Sequence, residues 1–238
     1  MFAMKMPARN WVCALVLLLA WCGSARADSV FYVSVNTSPL TTNPNIANGP
    51  FAVDFQLNDG SGTNDGNNTA MLSNFTFGAG GSLSGVPSLT GGASGDMAAT
   101  VMLTDTTFFN DFSQGFTPGS VLTFKVDLTT NVDGGLTPDQ FSFAILDSSG
   151  GSIPTTDLAG SLVTVNLDST AAIQTFSGTG FYSDVTVTIT PVVSAAAPLP
   201  TTFAASAILL ALAAWRWRRS VRAAAAQTQP VLISAHRD

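Results

Sequence analysis

The chain contains no glutamate, and of its nine basic residues only Lys125 falls between positions 28 and 200. The same stretch carries fourteen aspartates, a formal charge of −13 that the whole-chain value of −6 conceals. Such a surface repels nucleic-acid phosphates, which demand lysine and arginine, so a nucleic-acid partner is excluded. It suits an exported, solvated domain with some affinity for divalent cations. Cysteine is equally scarce: Cys13 and Cys22 are the only two, so the body beyond them must fold by core burial without disulfides. The single histidine, His236, stands near the C-terminus. The body therefore has no Ser-His-Asp or Cys-His apparatus and no zinc site built from His or Cys. Glycoside hydrolysis needs only two carboxylates. Sugar clefts also lean on aromatic platforms, however, and all four tryptophans (Trp11, Trp21, Trp215 and Trp217) lie outside the body. No catalysis and no cofactor are expected, Ca²⁺ excepted as described below.

What is present at the ends is informative. Lys5 and Arg9 precede an apolar run from Trp11 to Trp21, and Ala25 and Ala27 put small residues at the −3 and −1 positions before Asp28. This reads as a signal peptide over 1–27, with signal peptidase as a partner, because the run is about half the ~20 residues a membrane helix needs. Trp21 stands where a lipoprotein would carry a small residue before Cys22. At the other end, Leu199 to Trp215 is seventeen residues without a charge, followed by Arg216, Arg218, Arg219 and Arg222. As a helix that run is about 25 Å long, short for a bilayer but rescued by snorkelling arginines and local thinning. A span over about 199–217 is expected, with the arginines and a tail over 223–238 in the cytoplasm and the body outside.

A signal peptide, a Gly/Thr/Ser-rich β body, a proline motif, a span and an arginine cluster together resemble the PEP-CTERM exported proteins of Gram-negative bacteria. The segments FYVSVNTSPL, FAVDFQL, SNFTF, FNDFSQGFTPGSVLTFKVDLT and FSFAILDSSG carry the likeness through the body. The resemblance implies an exosortase-like sorting enzyme acting on residues 194–222, a place in the cell envelope or matrix, and extracellular polysaccharide as a neighbour. It assigns no enzymatic activity. The name-giving motif is here Pro198-Leu199-Pro200, without its glutamate, and sixteen residues follow Arg222. Two outcomes therefore stand side by side, removal of the tag and permanent anchoring.

The body, 28–193, alternates apolar and polar residues in short segments: 30–36, 51–57, 72–77, 99–103, 121–128, 140–146, 162–167 and 184–190. In VLTFKVDL, Leu122, Phe124, Val126 and Leu128 fall on one face and Val121, Thr123, Lys125 and Asp127 on the other, which is the period of a half-buried strand. Gly, Asn, Asp and Pro clusters separate the segments, and no helical periodicity intervenes. The expectation is an all-β fold, a single antiparallel, jelly-roll-like β-sandwich of eight to ten strands. Lys125 reads as a solvated strand residue. Of the sixteen phenylalanines most are expected in the core, with Phe108 and Phe109, being adjacent, on opposite faces and one of them free for a partner.

One loop stands out as a site. In NDGSGTNDGNN, residues 58–68, Asp59, Ser61, Thr63, Asp65 and Asn67 place an oxygen at every second position, the donor type that Ca²⁺ takes from flexible loops. The loop lacks a terminal glutamate and a D-x-D-x-D core, and its two Asp-Gly pairs equally suit an ordinary polar hairpin loop. Asp133 with Asp139 forms a weaker acidic spot. Asn67-Asn68-Thr69 has the form of a glycosylation sequon and reads as turn residues. The functional expectation is a surface or matrix protein without catalysis, its alternative a calcium-dependent or carbohydrate-binding module.

Overall fold

The computed structural model describes residues 28–46, 49–61, 64–132, 137–168, 170–192 and Arg216. The signal segment, the Pro198-Leu199-Pro200 motif, the span, the tail, Thr63 and Asp133 lie outside the described residues. Among those described, no helix is long and apolar enough to cross a membrane. The chain divides at residue 193 into two units, and the fold below is that of the first.

Alternation of the kind seen in VLTFKVDL produces two antiparallel sheets. Strand β1 (Asp28–Asn36) is followed by a four-residue helix α1 (Pro39–Thr42), then β2 (Phe51–Asn58) and β3 (Thr69–Thr76). Short strands β4 (Ser82–Leu83), β5 (Ser88–Thr90) and β6 (Ser94–Gly95) lead to β7 (Thr100–Thr104), β8 (Phe109–Thr117), β9 (Val121–Thr129) and β10 (Gln140–Leu146). The last three are β11 (Val163–Asn166), β12 (Ile173–Thr175) and β13 (Val187–Pro191). One sheet runs β13-β1-β9-β3-β7-β6 and the other β12-β11-β10-β2-β8-β4, with β5 also pairing β8.

The buried faces of the two sheets meet through phenylalanines. The Phe55 ring of the second sheet lies 5.2 Å from Phe124 of the first, edge on, and 5.3 Å from its own neighbour Phe143. Phe124 meets Phe143 edge on at 5.0 Å, and Phe75 stacks on Phe124 at 5.8 Å. Rings from both sheets thus interdigitate at the tilts their quadrupoles favour. Val33, Val53, Leu72, Leu122, Val126, Ile145 and Val165 complete a core with no solvent exposure. Burying each such side chain stabilises by about 1.5–3 kcal/mol, which is how the body holds together with no disulfide.

The all-β expectation holds, as a sandwich-like pair of sheets. Among the described residues thirteen strands are found where eight to ten were expected, and two helical turns, Pro39–Thr42 and Gly180–Tyr182, where none was. The surplus comes largely from β8 and the two- and three-residue strands that flank it. In β8 the buried face carries Asn110, Phe112, Gln114 and Phe116, so polar residues sit on both faces and period two is blurred. Those inward amides are satisfied by loop backbone: Asn110 Nδ2 donates to the Thr107 carbonyl at 2.7 Å, and Gln114 Oε1 accepts from Met97 N at 2.9 Å. Lys125 is a strand lysine on the outer face, 3.3 Å from Asp127.

The topology also fixes where the chain enters and leaves this unit. Asp28 pairs with Thr129 and Phe31 with Pro191, while Val192 N donates to the Val30 carbonyl at 2.8 Å. The start of β1 and the end of β13 therefore share one end of the sandwich, the end that also holds the β2–β3 loop.

Truncating the aromatic hub tests this packing. Phe55→Ala is expected to cost about 3–5 kcal/mol of unfolding free energy, and Phe109→Ala, 42% exposed, within about 0.5 kcal/mol of none. Urea unfolding of both variants measures the difference. Equal losses would mean that Phe55 is not the hub.

Candidate functional site

At that shared end, residues 58–61 and 64–68 lie at a polar knot. Asp59, Asn68 and Asp105 have no solvent exposure and Asp139 has 2%. Asn68 is the centre. Its backbone N–H donates to both Asp105 oxygens at 3.1 and 3.0 Å, and Asp105 N returns a bond to the Asn68 carbonyl at 3.2 Å. Its side-chain Nδ2 donates to Asp139 Oδ2 at 2.7 Å and to the Asn131 carbonyl at 3.0 Å, while Oδ1 accepts from Asn131 N at 2.8 Å. Asp139 Oδ1 accepts from Gly60 N at 3.0 Å. One residue so joins the start of β3 to the ends of β7 and β9 and the start of β10. Gly60 is required here because a Cβ would lie 2.0 Å from the Pro138 carbonyl oxygen.

The residues read as calcium ligands take separate tasks in this loop. Asp59 accepts the Asn64 N–H from beneath the loop. Ser61 Oγ donates to the Thr137 carbonyl at 2.8 Å. Exposed Asp65 accepts from Asn67 N at 3.2 Å and Asn67 Nδ2 at 2.9 Å. Their carboxylates are turned different ways, Asp59 in and Asp65 out. Among the described residues, no group of three or more His, Cys, Asp or Glu is arranged to hold a metal ion. Asp139 of the second acidic spot belongs to the knot.

Two carboxyls, each beside a second acid, are raised well above the usual carboxylate range. Burial pushes Asp105 up to about 7, with a hydrogen bond to Asp139 acting in the same direction. Asp54, 8% exposed on the outer face of β2, is pushed up to about 8 by burial, reinforced by a hydrogen bond to Asp111 of β8. Gln56 Nε2 donates to Asp54 Oδ2 at 2.8 Å and partly offsets the shift. Carboxyls in hydrogen-bond contact are far closer than the 5 Å or more that separates a glycosidase pair, so neither pair has the spacing for that reaction.

The outer face of the second sheet is a polar grid. Strand register sets Phe109, Asn58, Gln140 and Asn166 in one row across β8, β2, β10 and β11. The next row is Thr90, Asp111, Gln56, Ser142, Thr164 and Gln174. At the first row the surface sinks into a concavity of about 440 Å³, walled by Phe108 and Phe109 on one side and by Pro138, Gln140 and Asn166 on the other. Gln140 Nε2 donates to Asn166 Oδ1 at 2.9 Å. The Asn58 amide makes no hydrogen bond among the described residues, and its Oδ1 is buried. Both phenylalanines are exposed, Phe108 at 63% and Phe109 at 42%, whereas opposite faces were expected. Phe108 precedes the strand and so escapes its alternation. Sequence reasoning found the two rings but not the amides, since Asn58, Gln140 and Asn166 lie on three separate strands.

The raised carboxyls predict an unusual pH response. Asp54 and Asp105 keep their protons to about 8 and 7 when folded but lose them near 3.8 when unfolded. Between those values the folded state binds more protons, so stability falls as pH rises from about 4 to about 8. Asp147 and Asp168 are held low by the Ser149 and Thr170 hydroxyls and act in the opposite sense, but only below the usual carboxylate range. The melting temperature should drop by ~5 °C or more between pH 5 and pH 8, and Asp105→Asn, which mimics the protonated acid, should flatten that slope. A melting temperature that rises over this interval would refute the raised values of Asp54 and Asp105. Asn68→Ala should cost about 3 kcal/mol, because buried acceptors on Asp139 and donors on Asn131 lose their partner. Urea unfolding reads that loss directly.

Compared with family models, with curated proteins and with solved structures, the chain matches none.

Proposed function

We propose that residues 28–192 are a jelly-roll-like module that is exported, held at the cell envelope or in the extracellular matrix, and active by display and binding rather than by turnover. In this reading, signal peptidase cuts between Ala27 and Asp28. An exosortase-like enzyme or the membrane itself then engages Pro198-Leu199-Pro200 and the apolar run beyond it, with Arg216, Arg218, Arg219 and Arg222 stopping transfer on the cytoplasmic side.

The observation that supports this most is the fit between the fold and its flanks. Strand β1 opens at Asp28, the residue that a cut after Ala27 would expose, and already pairs with Thr129 there. The last backbone bond of the sheet is made by Val192, six residues before Pro198. A module bounded in this way loses no strand when either flank is removed. The −13 charge of residues 28–200 suits a solvated life outside the membrane, where it also discourages self-association. The engagement of Asp139 and Asp59 with backbone N–H groups, although Asp59 also lines the concavity, supports display over catalysis in this reading.

Intact-mass measurement on protein recovered from its native envelope and culture medium tests the reading. The expected species begins at Asp28. An end near residues 198–201 means a processed tag, and an end at Asp238 means a permanent anchor. A species that keeps Met1 through Ala27 and is found only in the cytosol would overturn export altogether.

A further inference from the structure

We infer that the concavity at the end of the second sheet is a binding site for an uncharged, hydroxyl-rich polysaccharide chain. The inference deepens the binding reading above, on which it rests for the place where such a polymer is met. Its chemistry comes from the row Phe109, Asn58, Gln140 and Asn166.

Neighbouring strands are about 4.8 Å apart, so the three amides and the ring form a ladder with a step comparable to one sugar ring. The amides are not spent on the protein. The hydrogen bond from Gln140 Nε2 to Asn166 Oδ1 at 2.9 Å leaves Gln140 Oε1 and Asn166 Nδ2 without a partner among the described residues. Asn58 makes no side-chain bond at all there. Asn58 Oδ1 is buried out of a ligand's reach, so the site offers Gln140 Oε1 as an acceptor and Asn166 Nδ2 as a donor side by side. A sugar hydroxyl is both donor and acceptor, and matches such a set better than a carbonyl, a phosphate or an ammonium does. Fixing the amide planes through the Gln140–Asn166 bond pre-organises them.

The aromatic component is also in place. Phe108 and Phe109 are exposed at 63% and 42% although the core absorbs most other phenylalanines. They form one wall of a concavity of about 440 Å³, within the usual size range of small-ligand sites. Their flat apolar faces suit the C–H face of a pyranose, while the opposite wall supplies the amides. Tryptophan and tyrosine, absent from this wall, are replaced by a phenylalanine pair.

Charge selects among polymers. Asp111 and Asp54 occupy the next two rows of the same face, and the single lysine of the module, Lys125, lies on the other sheet beside Asp127. A polyanion finds no counter-charge here. A hydrocarbon ligand would bury three amides without partners, a cost that excludes it. An uncharged glycan meets neither objection.

The test is affinity electrophoresis of the full chain through native gels containing dextran, mannan, a soluble β-glucan or the neutral polysaccharide extracted from the producing cells, with polygalacturonate as the charged control. Retardation is expected in at least one neutral gel and not in polygalacturonate. The double variant Phe108→Ala/Phe109→Ala and the single variant Asn166→Ala should weaken it at least tenfold with melting temperatures within a few degrees of the parent. Phe181→Ala, which removes an exposed ring elsewhere, should leave it unchanged. No retardation in any neutral gel, retardation equally strong in polygalacturonate, or retention that survives both site variants would overturn the inference. A protein that begins at Asp28 yet fails all the gels would sink this inference alone and leave export standing. Retention lost in the site variants of a chain that keeps its leader in the cytosol would do the reverse.

Discussion

The contact between Phe55 and Phe124 carries the rest of the molecule. With no cysteine beyond residue 22 and no metal-binding cluster among the described residues, two sheets can be held face to face only by what they bury. Among the described residues six phenylalanines, Phe31, Phe55, Phe112, Phe124, Phe141 and Phe143, have no solvent exposure and come from both sheets. Large flat rings fill the gap between sheets with few rotamers to restrict, and edge-to-face tilts add to the area they bury. Every strand that contributes to the outer faces is placed by this inner contact.

Apolar burial alone does not say which strand ends meet, and the polar knot does. Asn68 is joined to Asp105 and Asp139, partners 37 and 71 residues away in sequence. Such a network is costly if half-made and specific when complete. It closes the sandwich at the end where the chain enters and leaves, so Gly60 is held from below by Asp139 while Asp59 and Asp65 bond within the loop. Burial, with Asp139 alongside, raises Asp105 well above the usual carboxylate range, which favours its uncharged form in the knot.

The same register that builds the core exposes a different surface on the opposite side of the second sheet. Alternation sends Phe55, Leu57 and Phe141 inward and, by necessity, Asn58, Gln56 and Gln140 outward. Small polar residues then tile an open face, and its end is deepened by two rings that the core did not need. Binding is a natural use for such a face in a protein whose acids are occupied with structure.

The strand at 121–129 was legible to within one residue, inner and outer faces included, because a single period of two governs both its folding and its burial. The strands at 51–58 and 140–146 were equally plain for the same reason. Strand β8 was not, since Asn110 and Gln114 turn inward to meet loop backbone that no local pattern reveals. The loop 58–68 shows the limit more sharply. Its alternating oxygens were visible in the sequence, but Ser61 is directed by Thr137, brought there by pairing of distant strands, while Asp59 and Asp65 are directed by Asn64 and Asn67 of the loop itself. Composition and period thus determined the all-β class, the acidic surface and most of the core. Tertiary structure alone decided that Asn68 would be a keystone and that Asn58, Gln140, Asn166 and Phe109 would share a row. Side-chain alternation is a local property of the backbone, whereas a row across four strands exists only once their registers are set by packing.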